Sequence, residues 1–331
     1  MRHVTIRDVA KLAGVGIATA SRALNNRGEV SPATRKRVLE AAQKLGYVPN
    51  SLARSLLSGK TKKIGVIITT ILNPFYANLV SGIESILVSR GYNLILYNSN
   101  EDPKKEKEAI LTLREQRVDG LILAPIEYES QNVKYLYENQ IPFVLVARKT
   151  VEENTNYVVC DDYLVGKIAT EHLIERGHRK IFFLNSWRNS SAKLRLEGYK
   201  TALREAGLLI NPKLIYSLHP NSDLKAVVEN IFSNKTRPTA IFCFCDSIAV
   251  EVMKILKNMK LRIPDDVAII GCDNLDYTEL LNPSLTTIDI SKYDMGVKAA
   301  EALLEILNTE NTEKPLFQKI FTPKLMVRES T

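Results

Sequence analysis

A chain of 331 residues, 45% hydrophobic and 25% charged, is long enough to bury two or three separate cores and is ordinary in composition for a globular protein. No apolar run reaches the length of a membrane span, and the opening residues MRHVTIRDVAKLAG lack a signal-peptide core, so a cytoplasmic location is expected. The net charge of +8 is unevenly placed: residues 1–63 hold 13 of the 45 basic and 3 of the 37 acidic side chains. That predicts a polyanion-binding head on a nearly neutral body.

In the head, VTIRDVAKLAG offers Thr5 as an N-cap, an apolar face of Ile6, Val9, Ala10 and Ala13, and Gly14 as the stop. A second helix is expected from Ile17 to Leu24, with Ala20, Ala23 and Leu24 toward the first and Ile17, Ala18, Ser21 and Arg22 on the other side. SPATRKRVLEAAQKLG predicts a third, capped by Ser31, opened by Pro32 and ended by Gly46. Two short helices joined by a tight glycine-containing turn and braced by a third make a helix-turn-helix. Its free face can enter a major groove about 12 Å wide.

The next segment, YVPNSLARSLLSGKT, resembles the hinge of the LacI/GalR family of bacterial transcription repressors. The resemblance also runs through VTIRDVAKLAGV, TASRALN and VSPATRKRVLEAAQKLGY. It implies a helix-turn-helix domain over 1–49, a hinge over 50–62 and an effector-binding, dimerising body over 63–331. Ile17, Ala18 and Arg22 become the base readers, with further DNA contacts from Thr5, Thr19, Ser21, Asn25, Ser31, Thr34, Tyr47, Asn50 and Ala53. Leu56 becomes a wedge in the minor groove. Two positions depart from the family pattern: Gly16 stands where serine is usual, and Ala20 where valine is usual. SGKT at 58–61 is no phosphate loop, because Arg54 sits where that motif needs glycine.

From Lys63 onward, strand-like runs (IGVIIT, NLILY, GLILAP, KIFFL, TAIFCF, DVAIIG) alternate with amphipathic helices. Such alternation means parallel sheets flanked by helices, with ligands at the carboxyl ends of the strands. The resemblance implies two periplasmic-binding-protein-like α/β lobes joined by three crossovers. The N-lobe falls at about 63–160 plus 290–321 and the C-lobe at about 161–289 plus 322–331.

Candidate effector contacts sit at the strand ends. Asn73, Phe75 and Tyr76 follow the first strand, with Phe75 suited to stack on a sugar face. Arg148 ends FVLVA, and Trp187, Asn189 and Ser191 follow KIFFL, with Trp187 expected as a pocket wall. By resemblance, Arg195 in SAKLRLEGY and Asp273 in IIGCDN engage the effector, as a clamp across the cleft. In FCFCDS, Cys245 replaces a residue that is commonly small or an amide, and a thiol is a poor partner for hydroxyls. The following Asp246 is expected either to touch ligand or to cap the next helix.

Cys160, Cys243, Cys245 and Cys272 all fall in apolar segments, so reduced thiols are expected. Cys243 and Cys245, two apart, are expected on one face. No CxxC pair or histidine cluster accompanies them, and His172 and His178 belong to a run that is structural in the family. No metal and no cofactor is expected. No GxGxxG, HExxH or nucleophile elbow occurs, so the chain is not expected to be an enzyme. A solute-binding protein would fit the body but not the basic head. The expected partners are a pseudo-palindromic operator, a sugar or sugar derivative, and a second copy of the chain; control by a phosphorylated carrier protein is the alternative. No leucine heptad follows TPKLMVREST, so a tetramer built on such a tail is not expected.

Overall fold

In a computed structural model, residues 4–25, 28–48, 59–219, 221–233, 237–309 and 316–331 are described. The chain divides into two compact units, Met1–Thr61 and Lys62–Thr331.

The first unit holds α1 (Ile6–Ala13), α2 (Ile17–Leu24) and α3 (Pro32–Leu45). Their limits follow from local chemistry. Asp8 accepts hydrogen bonds from the Thr5 N–H at 2.9 Å and the Thr5 hydroxyl at 2.7 Å, closing a capping box. Gly14 ends α1 in the left-handed region, at φ 65°. Ser31 accepts from the Thr34 N–H, and Pro32 occupies the first turn of α3. The core joining the helices is small: Val9, Ala10, Ala13, Ala20, Ala23, Val38, Ala41 and Ala42. Alanine at the crossings lets the helix axes approach.

The second unit runs β1 (Lys63–Ile68), α4 (Pro74–Ser89), β2 (Asn93–Asn98), α5 (Pro103–Glu115), β3 (Gly120–Leu123), α6 (Gln131–Glu138), β4 (Phe143–Val146) and β5 (Tyr157–Cys160). It continues with α7 (Asp162–Glu175), β6 (Ile181–Asn185), α8 (Ser190–Glu205), β7 (Ile215–Ser217), α9 (Leu224–Phe232), β8 (Ala240–Cys243), α10 (Asp246–Asn258) and β9 (Ala268–Ile270). β10 (Thr287–Asp289), α11 (Lys292–Asn308), β11 (Gln318–Phe321) and β12 (Lys324–Met326) complete it.

A six-stranded parallel sheet has the order β11-β5-β4-β3-β1-β2, and a four-stranded parallel sheet the order β7-β6-β8-β9. Fully buried runs such as FVLV in β4 and AIFC in β8 fit parallel strands covered on both faces. The chain passes between the two halves after β5, before α11 and between β11 and β12. One ribbon departs from the expected parallel pairing: β10 and β12 are antiparallel.

Two helix pairs hold the halves together internally, and each closes on glycine. A Cβ on Gly82 would collide with the Tyr293 carbonyl where α4 crosses α11, and one on Gly166 with the Arg195 carbonyl where α7 crosses α8. The second crossing matters for the site. It brings Arg195 of α8 within reach of Asp162, the first residue of α7.

Candidate functional site

On the head, α2 presents the expected face. Ala20 and Ala23 are buried, whereas Ile17 is 47% exposed, and Ala18 and Arg22 are open to solvent. Thr19 and Ser21 are half-buried, and the Asn25 amide donates to the Ser21 carbonyl at 2.9 Å. Gly16 takes the N-cap position of α2 with extended backbone, so the helix begins without a hydroxyl cap. Thr5, Ser31 and Thr34 lie at helix N-termini, where unpaired N–H groups favour phosphate. Their hydroxyls also have internal work, since Ser31 donates to Thr34 at 2.9 Å. Tyr47 packs, half-buried, against the small core. Asn50, Ala53 and Leu56 lie outside the described residues.

In the second unit a cavity of about 330 Å³ opens between the two sheets' carboxyl ends. The six-stranded half contributes Asn73, Phe75, Tyr76, Glu101 and Arg148, and the other half Ser191, Arg195, Phe244, Cys245 and Asp273. Phe75 and Tyr76 meet edge to face at 4.9 Å and are buried, forming a rigid aromatic wall. Glu101, Ala147 and Asp273, all on the cavity lining, have positive φ of 54°, 63° and 118°. Non-glycine residues in such conformations cost on the order of 1–3 kcal/mol each, and they gather at functional sites.

The charges of the cavity are paired within each half. Arg148 donates Nη1 and Nη2 to the two Glu101 oxygens, at 3.2 and 3.0 Å. Arg195 donates Nε to Asp162 at 2.8 Å and Nη1 to the Phe244 carbonyl at 2.5 Å, with its guanidinium over the Phe244 ring. Burial alone would raise the Glu101 carboxyl, but the Arg148 charge and its hydrogen bond outweigh burial and hold it below its ordinary value. Asp273 goes the other way. Burial, then repulsion from Asp246, push its carboxyl up, while Arg195 only partly opposes them. Its Oδ2 is buried and has no hydrogen-bond partner among the described residues.

Several expectations need correction. Asp273 and Arg195 both belong to the four-stranded half, so they form one wall rather than a clamp across the cleft. Trp187 is not on the cavity lining: its ring lies 4.4 Å from that of His219, with the Arg188 guanidinium 3.8 Å above it. Asn189 is a buried N-cap of α8, accepting from the Ala192 N–H at 2.8 Å. Asp246 is fully buried off the cavity and does not cap α10, whose N-cap is Cys245. It accepts instead from the Leu275 N–H at 2.9 Å and the Thr287 hydroxyl at 2.6 Å, in space that Gly271 leaves free. Cys243 and Cys245 do not share a face. β8 ends at Cys243, which packs in the core, and the chain turns before Cys245 reaches the cavity.

No motif marks Glu101, Asp162 or Phe244 in the sequence. Their signal was position alone: Glu101 and Phe244 follow strand ends, and Asp162 follows β5. Near the cavity the halves also touch directly. The Tyr128 N–H donates to the Arg188 carbonyl at 3.0 Å, Arg188 pairs with Glu127 at 3.4 Å, and the Lys149 N–H donates to the Ser190 hydroxyl at 3.1 Å.

A helix-turn-helix with an exposed face, in one chain with a two-lobed body built around a cavity lined by charged and aromatic side chains, defines a ligand-responsive DNA-binding regulator. The family described as "Bacterial regulatory proteins, lacI family" matches residues 5–50, and "Periplasmic binding proteins and sugar binding domain of LacI family" matches residues 61–324. The chain belongs to the LacI family and is a transcriptional repressor of its helix-turn-helix type, regulated by a small-molecule effector. It is 36% identical over 330 residues to the HTH-type transcriptional repressor PurR of Aliivibrio salmonicida, and 36% identical over 329 residues to that of Actinobacillus pleuropneumoniae serotype 3; each comparison covers 98% of both chains. Among solved structures it resembles a transcriptional regulator CelR–cellobiose complex at 30% identity and a TM-score of 0.75, over 99% of this chain and 100% of that one. A lac repressor dimer bound to operator and an anti-inducer shares the fold at 24% identity and a TM-score of 0.87, over 99% of both chains.

Proposed function

We propose that this repressor binds a pseudo-palindromic operator as a homodimer, reads bases with Ile17, Ala18 and Arg22, and is switched by a sugar-like effector held in the inter-lobe cavity. The observation that carries this reading is Asp273, which lines the cavity between the two halves of the body and whose buried Oδ2 has no hydrogen-bond partner among the described residues. A buried polar atom left unsatisfied is costly, and a ligand hydroxyl supplies what it lacks. The volume of about 330 Å³ is at the small end of ligand pockets. The cellobiose named for the CelR structure supports carbohydrate as the chemical class. Thr5, Ser31, Thr34 and Tyr47 serve as phosphate-facing contacts in this reading, and Leu56 as the minor-groove wedge. No catalysis is assigned to the chain, and the reading places it in the cytoplasm, where its DNA is.

Two-fold protein symmetry maps onto a DNA dyad, and a single head spans too few base pairs for specificity. The test is operator selection from a random-sequence pool by the full chain, followed by effector titration on the selected site. Recovered sites with dyad symmetry, and an effector that shifts operator affinity, bear the reading out. By linkage the operator must shift effector affinity by the same factor. Selected sites without a dyad, or an effector whose affinity ignores saturating operator, would sink it.

A further inference from the structure

Both guanidiniums that reach the cavity are already matched by carboxylates of the protein itself. Glu101 holds both Nη groups of Arg148 in a two-point pair, and Asp162 holds Nε of Arg195. Arg148 and Arg195 are buried, so these pairings are not screened as surface pairs are. Asp273 adds a second carboxyl to the lining, and Glu251 a third on its exposed side. The lining thus brings together two cations and at least as many carboxylates.

We propose that Glu101 is a specificity residue: by occupying Arg148 it leaves the cavity without an uncompensated cation, so the effector is an uncharged, hydroxyl-bearing molecule and its phosphorylated or acidic counterparts are rejected. This rests on the reading of the cavity as the effector site. An anionic ligand must either stay unpaired in a buried site or pull Arg148 away from Glu101, stranding a half-buried carboxylate; both are costly. A neutral hydroxyl meets no such penalty. It pairs with the Asp273 carboxyl on the lining and accepts from the guanidinium hydrogens of Arg195 that Asp162 and Phe244 leave over, since arginine carries five. Phe75, Phe244 and Ile248 supply apolar surface for the face of a ring. The partner of Arg148 lies 47 residues away along the chain and leaves it no free charge for an anion.

The test is calorimetry on the full chain with matched probes: glucose, glucose 6-phosphate and glucuronate; ribose and ribose 5-phosphate; cellobiose and cellobionate; adenosine and adenosine 5′-monophosphate. The expected result is that a neutral member binds at least tenfold more tightly than its charged partners. Glu101→Gln should shrink that ratio about tenfold by strengthening the charged partner, because Arg148 is then unneutralised. A charged partner that binds wild type as tightly as its neutral counterpart overturns the proposal, and that comparison needs no variant. A folded Glu101→Gln protein with an unchanged ratio overturns the role of Glu101. If no probe of either kind binds, the effector-site reading itself fails and the inference falls with it.

Discussion

The head and the body use arginine in opposite ways. Arg22 stands exposed on a helix of alanines, and its positive charge is available to whatever the helix meets. Arg195 and Arg148 are buried, and each is bound to a carboxylate from another element. In the head, the exposed arginine sits on the surface of a minimal core, so it can change without disturbing the fold. In the body, the cavity-lining charges are also part of the packing. Removing an arginine therefore measures recognition in one region and stability in the other.

Arg195→Ala sharpens that contrast most. It strands Asp162 in a buried site and should lower the stability of the body by about 3–5 kcal/mol in urea denaturation. A loss below about 1 kcal/mol would mean that water reaches the pair and that the contrast is false. Loss of effector response in this variant therefore says little about ligand contact.

Arg22→Ala should leave both melting transitions within about 0.5 kcal/mol of wild type, while removing about 1–3 kcal/mol of preference for operator over random DNA. An unchanged operator-to-random ratio would show that α2 does not read bases. Thr5→Ala opens the capping box and should weaken the head alone by about 1 kcal/mol, read as greater hydrogen exchange in α1 with the body's exchange unaltered.

Asp273→Asn separates ligand contact from packing better than Arg195 does. Burial and Asp246 raise the Asp273 carboxyl, so the folded protein holds a proton that the unfolded chain has released. Stability therefore declines as pH rises from the ordinary carboxylate range toward the raised folded value. The asparagine variant lacks this titration. Its stability relative to wild type should increase with pH across that window and be flat below it, while effector binding weakens. A pH-independent difference in melting would contradict the protonated state. The smallest expected effect is spectroscopic. Trp187, the only tryptophan, packs on His219 beside Arg188, where the two halves touch. Effector binding that changes the lobe angle should shift its emission by a few nanometres, and Arg188→Ala should shift it without effector.

Much of the head was legible because its determinants are local. Caps, glycine stops and the three-and-four spacing of small apolar residues act within one or two turns. The limits Ile6–Ala13 and Ile17–Leu24, and the roles of Thr5, Ser31 and Gly46, follow from neighbours in the chain. The alternation of strands and helices in the body was legible for the same reason. Strand ends also told which rim Phe75, Tyr76, Arg148 and Ser191 occupy. They did not tell which way a side chain points, so Trp187, Asn189 and Asp246 were expected in a cavity they do not line.

The chemistry of the cavity depends instead on contacts between distant parts of the chain. Arg148 meets Glu101 across 47 residues, and Arg195 meets Asp162 across 33, because one glycine crossing and one sheet edge bring them together. A sequence names charges. Whether a buried charge attracts a ligand or is already satisfied depends on a partner within about 3 Å, and such partners are set by packing between elements that are distant along the chain.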